Sequence, residues 1–310
     1  MDARAGGQGC RVENQRRRAM ARRMALVAVL LAGSGCRSPC LDTDRLVPRD
    51  WKGNPWGPAA NSARGRGEIP LVPSNPEMAA WDSWGRRNLR DGDVIFRMGD
   101  ARAACGLFPF SQVSAAIANS RYSHSGIIAI ENGEPVVYDT TTLGPQREPL
   151  RIWVLAANKS VAIKRPRPEY QACASGAVAF CRSVYSAQVP FDYGMRLGDD
   201  KFYCIEMTER AYQSAGLPLS KPVPLHSLPR YDEFPWIVRI MKLATKMEPN
   251  QLAYVIGNDS LGIWASPSLE PVYEALDGRP PAAPVRRNGA DERADPPVVG
   301  DARIGPPPRT

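Results

Sequence analysis

A chain of 310 residues with 43% hydrophobic content is long enough to bury a core as one large domain or two small ones. Its 40 Lys and Arg against 32 Asp and Glu give a net charge of +8. The arginines crowd an N-terminal segment (Arg16, Arg17, Arg18, Arg22, Arg23), and the body of the chain has no basic stripe with interleaved aromatics, which excludes a nucleic-acid partner. Two histidines and seven cysteines, without C-x-x-C or H-x-x-x-H spacing, do not build a zinc site, and no metal or cofactor is expected.

The N-terminal arginines introduce an apolar run from Met24 that closes on Gly33-Ser34-Gly35-Cys36. A charged start followed by a short apolar stretch is the layout of a secretory signal, and a bilayer crossing would need about 20 apolar residues. The closing four residues are similar to a bacterial lipobox, with Gly33 where Leu is usual, so residues 1–36 read as a signal peptide with Cys36 as the lipidation candidate. Cleavage by ordinary signal peptidase and a start codon placed too early are the competing readings. The expected location is exported, anchored to a membrane through the N-terminal lipid and facing the periplasm or cell surface.

Residues 37–80 are rich in Pro, Gly, Asn and Trp without periodicity and read as a tether, with Trp51 and Trp56 placed to dock on the domain or touch the membrane. Residues 278–310 carry Pro, Ala, Arg and Asp with almost no large apolar side chain and read as a disordered tail. The folded domain is then 81–277. Of the seven cysteines, removing Cys10 and Cys36 leaves five (7 − 2), an odd number, so a free thiol is expected. Cys173 and Cys181 fall in one predicted helix, roughly 12 Å apart by helical rise, too far to bridge each other.

Within the domain, the Asp91-Gly92-Asp93 turn leads into a strand at Val94 to Arg97. Phe110 to Asn119 has helical spacing. Ser123 to Ile130 and Pro135 to Thr141 are strands joined through Asn132-Gly133, the strongest short hairpin signal. A further strand is expected at Val161 to Lys164, a helix over Glu169 to Gln188, a second over Ile205 to Ala215 ended by Gly216 and Pro218, and a last one over Ile237 to Met247.

Cys204 falls at the first turn of its helix, where unpaired N–H groups and the positive dipole end favour a thiolate. Thr208, Ala211 and Ala215 share its face, and small residues there let the helix lie close to a sheet. Glu206 points about 200° away around the helix and cannot serve the same site; it reads as helix-start electrostatics. His124 shares a strand face with Gly126, Ile128 and Ile130, and the gap at Gly126 would admit the Cys204 helix. A thiol beside an imidazole is the minimal machinery for acyl transfer, and the imidazole needs a third group to fix its tautomer. If Asn132-Gly133 is a two-residue turn, Gly126 faces Asp139, placing the carboxylate on the diagonal from His124, about 7 Å away between backbones. A three-residue loop would shift the register and make Tyr138 the partner. Asp139 ranks first and Tyr138 second.

The order Leu-x-Asp-Gly-Asp-Val-Ile-Phe-Arg, Tyr-Ser-His-x-Gly-Ile, Phe-Asp-Tyr and Tyr-Cys-x-Glu resembles the YiiX-like permuted papain-fold cysteine hydrolases of the NlpC superfamily, over roughly residues 86–216. The resemblance implies an α+β, circularly permuted papain-like fold: a small antiparallel sheet or partial barrel with the nucleophile helix packed against it. It implies Cys204 as nucleophile and His124 as base, with the acidic residue after the histidine hairpin as orienter. The chain departs from the pattern at Ile205 where Ser is common, at Ser125 where an aliphatic is common, and in the acidic hairpin position, represented here by Tyr138-Asp139. Tyr122 and Tyr193, within the matched motifs, are the substrate-binding candidates; for Tyr193 packing is the preferred role over hydroxyl donation. The expected activity is hydrolysis of an amide or related acyl bond in a small-molecule, peptide or lipid substrate of the envelope. An acyltransferase or thioesterase acting on lipids, a catalytically inactive binding module and a structural envelope lipoprotein are the alternatives.

Overall fold

The computed structural model describes residues 76–99, 108–154, 157–198, 200–277 and 279. The signal segment with Cys36, the tether up to residue 75, the tail from residue 280, and Cys10, Cys40 and Cys105 lie outside the described residues. The hairpin is the element the rest is built on. Asn132 and Gly133 sit at φ 51° and 77°, the left-handed pair of a two-residue turn whose twist suits the strands it joins. It connects β2 (His124–Glu131) to β3 (Glu134–Thr141), with Glu131 opposite Glu134 and Ile127 opposite Tyr138. The register is therefore the one expected of a two-residue loop.

Around the hairpin stand β1 (Val94–Gly99), β4 (Gly144–Pro149), β5 (Ala157–Pro166) and, last in the chain, β8 (Leu269–Ala275). The six strands form one antiparallel sheet in the order β4-β3-β2-β1-β5-β8, open and not closed into a barrel. A separate pair joins β6 (Val223–Pro224) to β7 (Leu252–Ala253). Strand β4 escaped sequence reading because Pro145 and Pro149 break its signal; at the edge of a sheet, one side of the backbone needs no partner and proline is tolerated.

Strand alternation gives each face its own core. Val94, Phe96, Ile127, Val136 and Tyr138 pack against helices α4 (Cys173–Ala187) and α5 (Cys204–Ser214). Ile95, Ile128, Val137 and Ile163 pack against Trp81 of α1 (Pro76–Asn88) and Leu150 and Trp153 of the short α3 (Leu150–Trp153). Helix α1 thus crosses the boundary expected at residue 80, with Met78 and Trp81 buried. Helix α2 (Phe110–Ile117) and helix α6 (Pro235–Thr245) lie where periodicity placed them. The helix expected over 169–188 begins instead as a short 3-10 turn at Pro168–Tyr170 and ends with Gln188 in the left-handed region. Helix α5 stops before Gly216 at φ 85°. Among the described residues no helix is long and apolar enough to cross a membrane.

The Asp91-Gly92-Asp93 turn carries a buried charge. Asp93 is fully buried and receives two hydrogen bonds of 2.7 Å from Arg165 Nε and Nη2 and one of 2.9 Å from the Arg90 amide. Burial pushes the Asp93 carboxyl up, and Arg165 pulls against it. Arg165→Ala would leave this carboxylate buried and unpaired, and urea denaturation is expected to show a loss of about 3 kcal/mol.

Candidate active site

The β2–β3 register sets the imidazole. His124 Nε2 lies 2.5 Å from Asp139 Oδ2, and the same oxygen accepts a 2.7 Å hydrogen bond from the Trp153 indole N–H. The His124 and Trp153 rings stack at 5.8 Å between centroids with 28° between planes. Behind them Arg97, 2% exposed, donates to the Trp153 carbonyl and lies 4.0 Å over its ring. The imidazole is thus held at one nitrogen by a buried carboxylate and along one face by an indole, leaving Nδ1 for the sulfur.

Helix α5 delivers that sulfur. Cys204 is its first residue, and the N-cap Tyr203 makes no side-chain capping bond, so the opening amides stay unclaimed by a cap. Ser125 Oγ and Thr208 Oγ1 meet at 2.9 Å, and Thr208 Oγ1 also donates to the Cys204 carbonyl at 3.1 Å, which pins the helix start to the strand that carries His124. Cys204 is within hydrogen-bonding reach of the imidazole. Burial pulls the His124 pKa down, but the charges of Cys204 and Asp139 and the hydrogen bonds to both outweigh it, and the imidazolium persists to about pH 9. The structure thus brings sulfur, imidazole and carboxylate to one site.

Gly126 leaves its space to strand β3 and Asp139 and not to the Cys204 helix. A Cβ there would meet Val137 Cγ1 at 2.7 Å, the Tyr138 carbonyl at 2.9 Å and Asp139 Cβ at 3.2 Å. The bare position makes room for Asp139 and strand β3, while α5 docks on the opposite face through Ser125. Gly126→Ala is expected to cost about 1–3 kcal/mol in a denaturation midpoint and to loosen the Asp139 contact with His124. Tyr138, on the α4 side of the sheet, donates to Glu131 Oε1 at 2.7 Å and stands away from His124.

Glu206 faces away from Cys204, as its helix angle requires, but it is no surface charge. It is fully buried, accepts the Gly198 amide at 3.1 Å and lies 3.7 Å from Arg210. Burial foremost pushes its carboxyl up to about 7. Its role is to hold the loop before α5.

Of the two tyrosines expected at substrate, Tyr122 is 1% exposed, donates to Glu274 Oε1 at 2.7 Å and packs on Phe96 and Trp264. Tyr193 is 59% exposed and donates to the Thr142 carbonyl at 2.9 Å, linking its loop to the β3–β4 turn. An apolar pocket of about 100 Å³ is lined by Tyr122, by Ser123 and Ile205, the chain neighbours of His124 and Cys204, and by Met195, Met241 and Met247. Cys173 and Cys181 are free thiols, and burial pushes Cys181 far up.

Trp153 and Arg97 were not found by sequence reading. Arg97 had a signal: it shares a strand face with Ile95, and an arginine on an apolar face needs a buried partner. Trp153, in a four-residue helix, had none.

A histidine strand preceding a cysteine helix on an open antiparallel sheet is the arrangement of a permuted papain-like fold. Residues 88–232 match the family model described as permuted papain-like amidase enzyme, YaeF/YiiX. The chain is 25% identical over 126 residues to the uncharacterized protein YiiX of Escherichia coli (strain K12), a match covering 40% of this chain and 57% of that protein. The crystal structure of YiiX from Escherichia coli O157:H7 aligns with a TM-score of 0.50 and 19% identity over 61% of this chain and 99% of that one, and it supports the fold. The chain is thus similar in sequence to YiiX and has the permuted papain-like fold. The solved YiiX is titled a metalloprotein. Among the described residues here, no three His, Cys, Asp or Glu side chains converge as a metal would require.

Proposed function

We propose that the protein is a cysteine hydrolase that cleaves an amide or related acyl bond at the cell envelope, with Cys204 as nucleophile, His124 as acid and base, and Asp139 as orienter. The observation that carries this is the His124 imidazole held between a buried carboxylate and a thiol at a helix start. In this reading the Cys204 thiolate attacks the acyl carbon, forming a C–S bond, and the negative oxygen is met by the amides opening α5. The His124 imidazolium gives its proton to the leaving nitrogen or oxygen as that bond breaks. Water, deprotonated by the now neutral imidazole, then cleaves the thioester to release the acid and restore the pair. The envelope location rests on the export signal and Cys36 lipobox read from residues 1–36.

The pocket at Ser123 and Ile205 favours a second, narrower reading, in which the acyl group is a lipid-like chain and the acceptor is water or another nucleophile. Iodoacetamide near neutral pH, read by peptide mass spectrometry, is expected to label Cys204 far faster than Cys173 or Cys181, and His124→Ala to slow it. Equal rates for all three thiols, indifferent to that substitution, would defeat the activated nucleophile and favour a binding module. Across p-nitrophenyl esters from acetyl to dodecanoyl, kcat/KM should rise by up to about fourfold per methylene until the pocket fills; a flat series removes the lipid-like chain.

A further inference from the structure

We infer that Glu148 is a positioning residue of the Cys204–His124–Asp139 site, its neutral carboxyl donating a hydrogen bond to Oδ1 of Asp139. The inference rests on the hydrolase reading above and extends it to a residue outside the triad.

Asp139 carries one unpaired oxygen. Asp139 is 2% exposed; its Oδ2 takes both the imidazole and the indole, while Oδ1 is buried with no hydrogen-bond partner among the described residues. A buried carboxylate oxygen left so costs about 1–3 kcal/mol or more, so a donor is called for. Strand β4 offers two side chains on that face. Gln146 lies directly opposite Asp139, but its amide reaches the Gly144 carbonyl at 3.2 Å and makes no bond to Oδ1. Glu148, opposite Val137, is the diagonal neighbour of Asp139, about 7 Å away between backbones, and is 6% exposed.

The charged groups facing Glu148 are Asp139 on β3, Arg97 on β1 and His124 on β2. With Glu148 neutral, the Cys204 thiolate, His124 imidazolium, Asp139 carboxylate and Arg97 guanidinium sum to zero in a site poor in water. Ionising Glu148 would leave one uncompensated negative charge beside Asp139. Burial and the charge of Asp139 push its carboxyl up to about 8, Arg97 and His124 pulling the other way. Only the protonated acid can donate, and ionisation replaces the donor with a second anion.

Alkylation of Cys204 by iodoacetamide from pH 5 to 10 tests this in the intact chain. Wild type is expected to show an inflection near pH 8 beyond those of the thiol and imidazole. Glu148→Gln keeps a neutral N–H donor in the same shape; it should hold the neutral-pH rate within about threefold and lose the inflection. Glu148→Leu should lose about tenfold or more at neutral pH, the equivalent of one hydrogen bond to a charged group. A Glu148→Gln profile that coincides with wild type through pH 8 overturns the inference, and it does so whether or not the leucine variant folds. Should wild-type Cys204 react no faster than Cys173, the hydrolase reading and this inference fall together. Fast Cys204 labelling with indifferent Glu148 variants defeats this inference alone.

Discussion

Cys204→Ser is expected to lower turnover of p-nitrophenyl acyl esters by about 10⁴-fold or more, with little change in stability. The substitution exchanges one atom at a partly exposed helix start, so packing is nearly conserved. The chemistry is not. In the hydrolase reading the Cys204 sulfur attacks as a thiolate paired with the His124 imidazolium, whereas a serine hydroxyl holds its proton until the moment of attack and must find a free base. The same variant carries an independent readout. The negative charge of Cys204 is one of the causes that raise His124 to about 9, so an NMR titration of the imidazole in Cys204→Ser should move to lower pH. Unchanged turnover or an unmoved titration would count against the pair.

Asp139→Asn is expected to cost roughly 10²–10⁴ in turnover and to change how stability depends on pH. The amide oxygen can still accept from His124 and Trp153, so geometry survives while the charge that holds the imidazolium is lost. The direction is settled by linkage. His124 has an ordinary value of 6.5, raised to about 9 in the fold, so its contribution to stability is fully present below pH 6.5 and lost as pH rises through 9. Removing the Asp139 charge should therefore cost about 1–3 kcal/mol at pH 6 and progressively less above pH 9. Urea denaturation at the two pH values reads this; an equal cost at both would mean that Asp139 acts only through packing.

The hairpin was legible because Asn132-Gly133 favours a two-residue turn, and that turn, once formed, sets the register that puts Asp139 diagonal to His124. Local chemistry dictated a long-range result. Glu206 was excluded by helix angle alone, yet its burial as an anchor for the Gly198 amide depends on a loop no periodicity describes. The space at Gly126 was recognised and is used by Asp139 but not by the Cys204 helix, since alternation says which face is bare and not what fills it. Strand β4, which carries Glu148, was hidden by its prolines, and the indole of Trp153 reaches Asp139 only because β4 and α3 fold back over the hairpin. Side chains that act through tertiary contact left no pattern to read.

The two halves of the site differ in how far apart they lie along the chain. His124 and Asp139 are 15 residues apart and meet through a tight turn, while Ser125 and Thr208, which dock α5, are 83 apart. Loop-closure entropy grows with separation, and a hairpin closes in about 1–10 μs. The imidazole and carboxylate are therefore expected to find each other early, and the sulfur to arrive with one of the last contacts made. Until that contact forms, Cys204 lacks its imidazole neighbour, so under the proposed function an incompletely folded chain has no armed nucleophile to turn on itself or its neighbours.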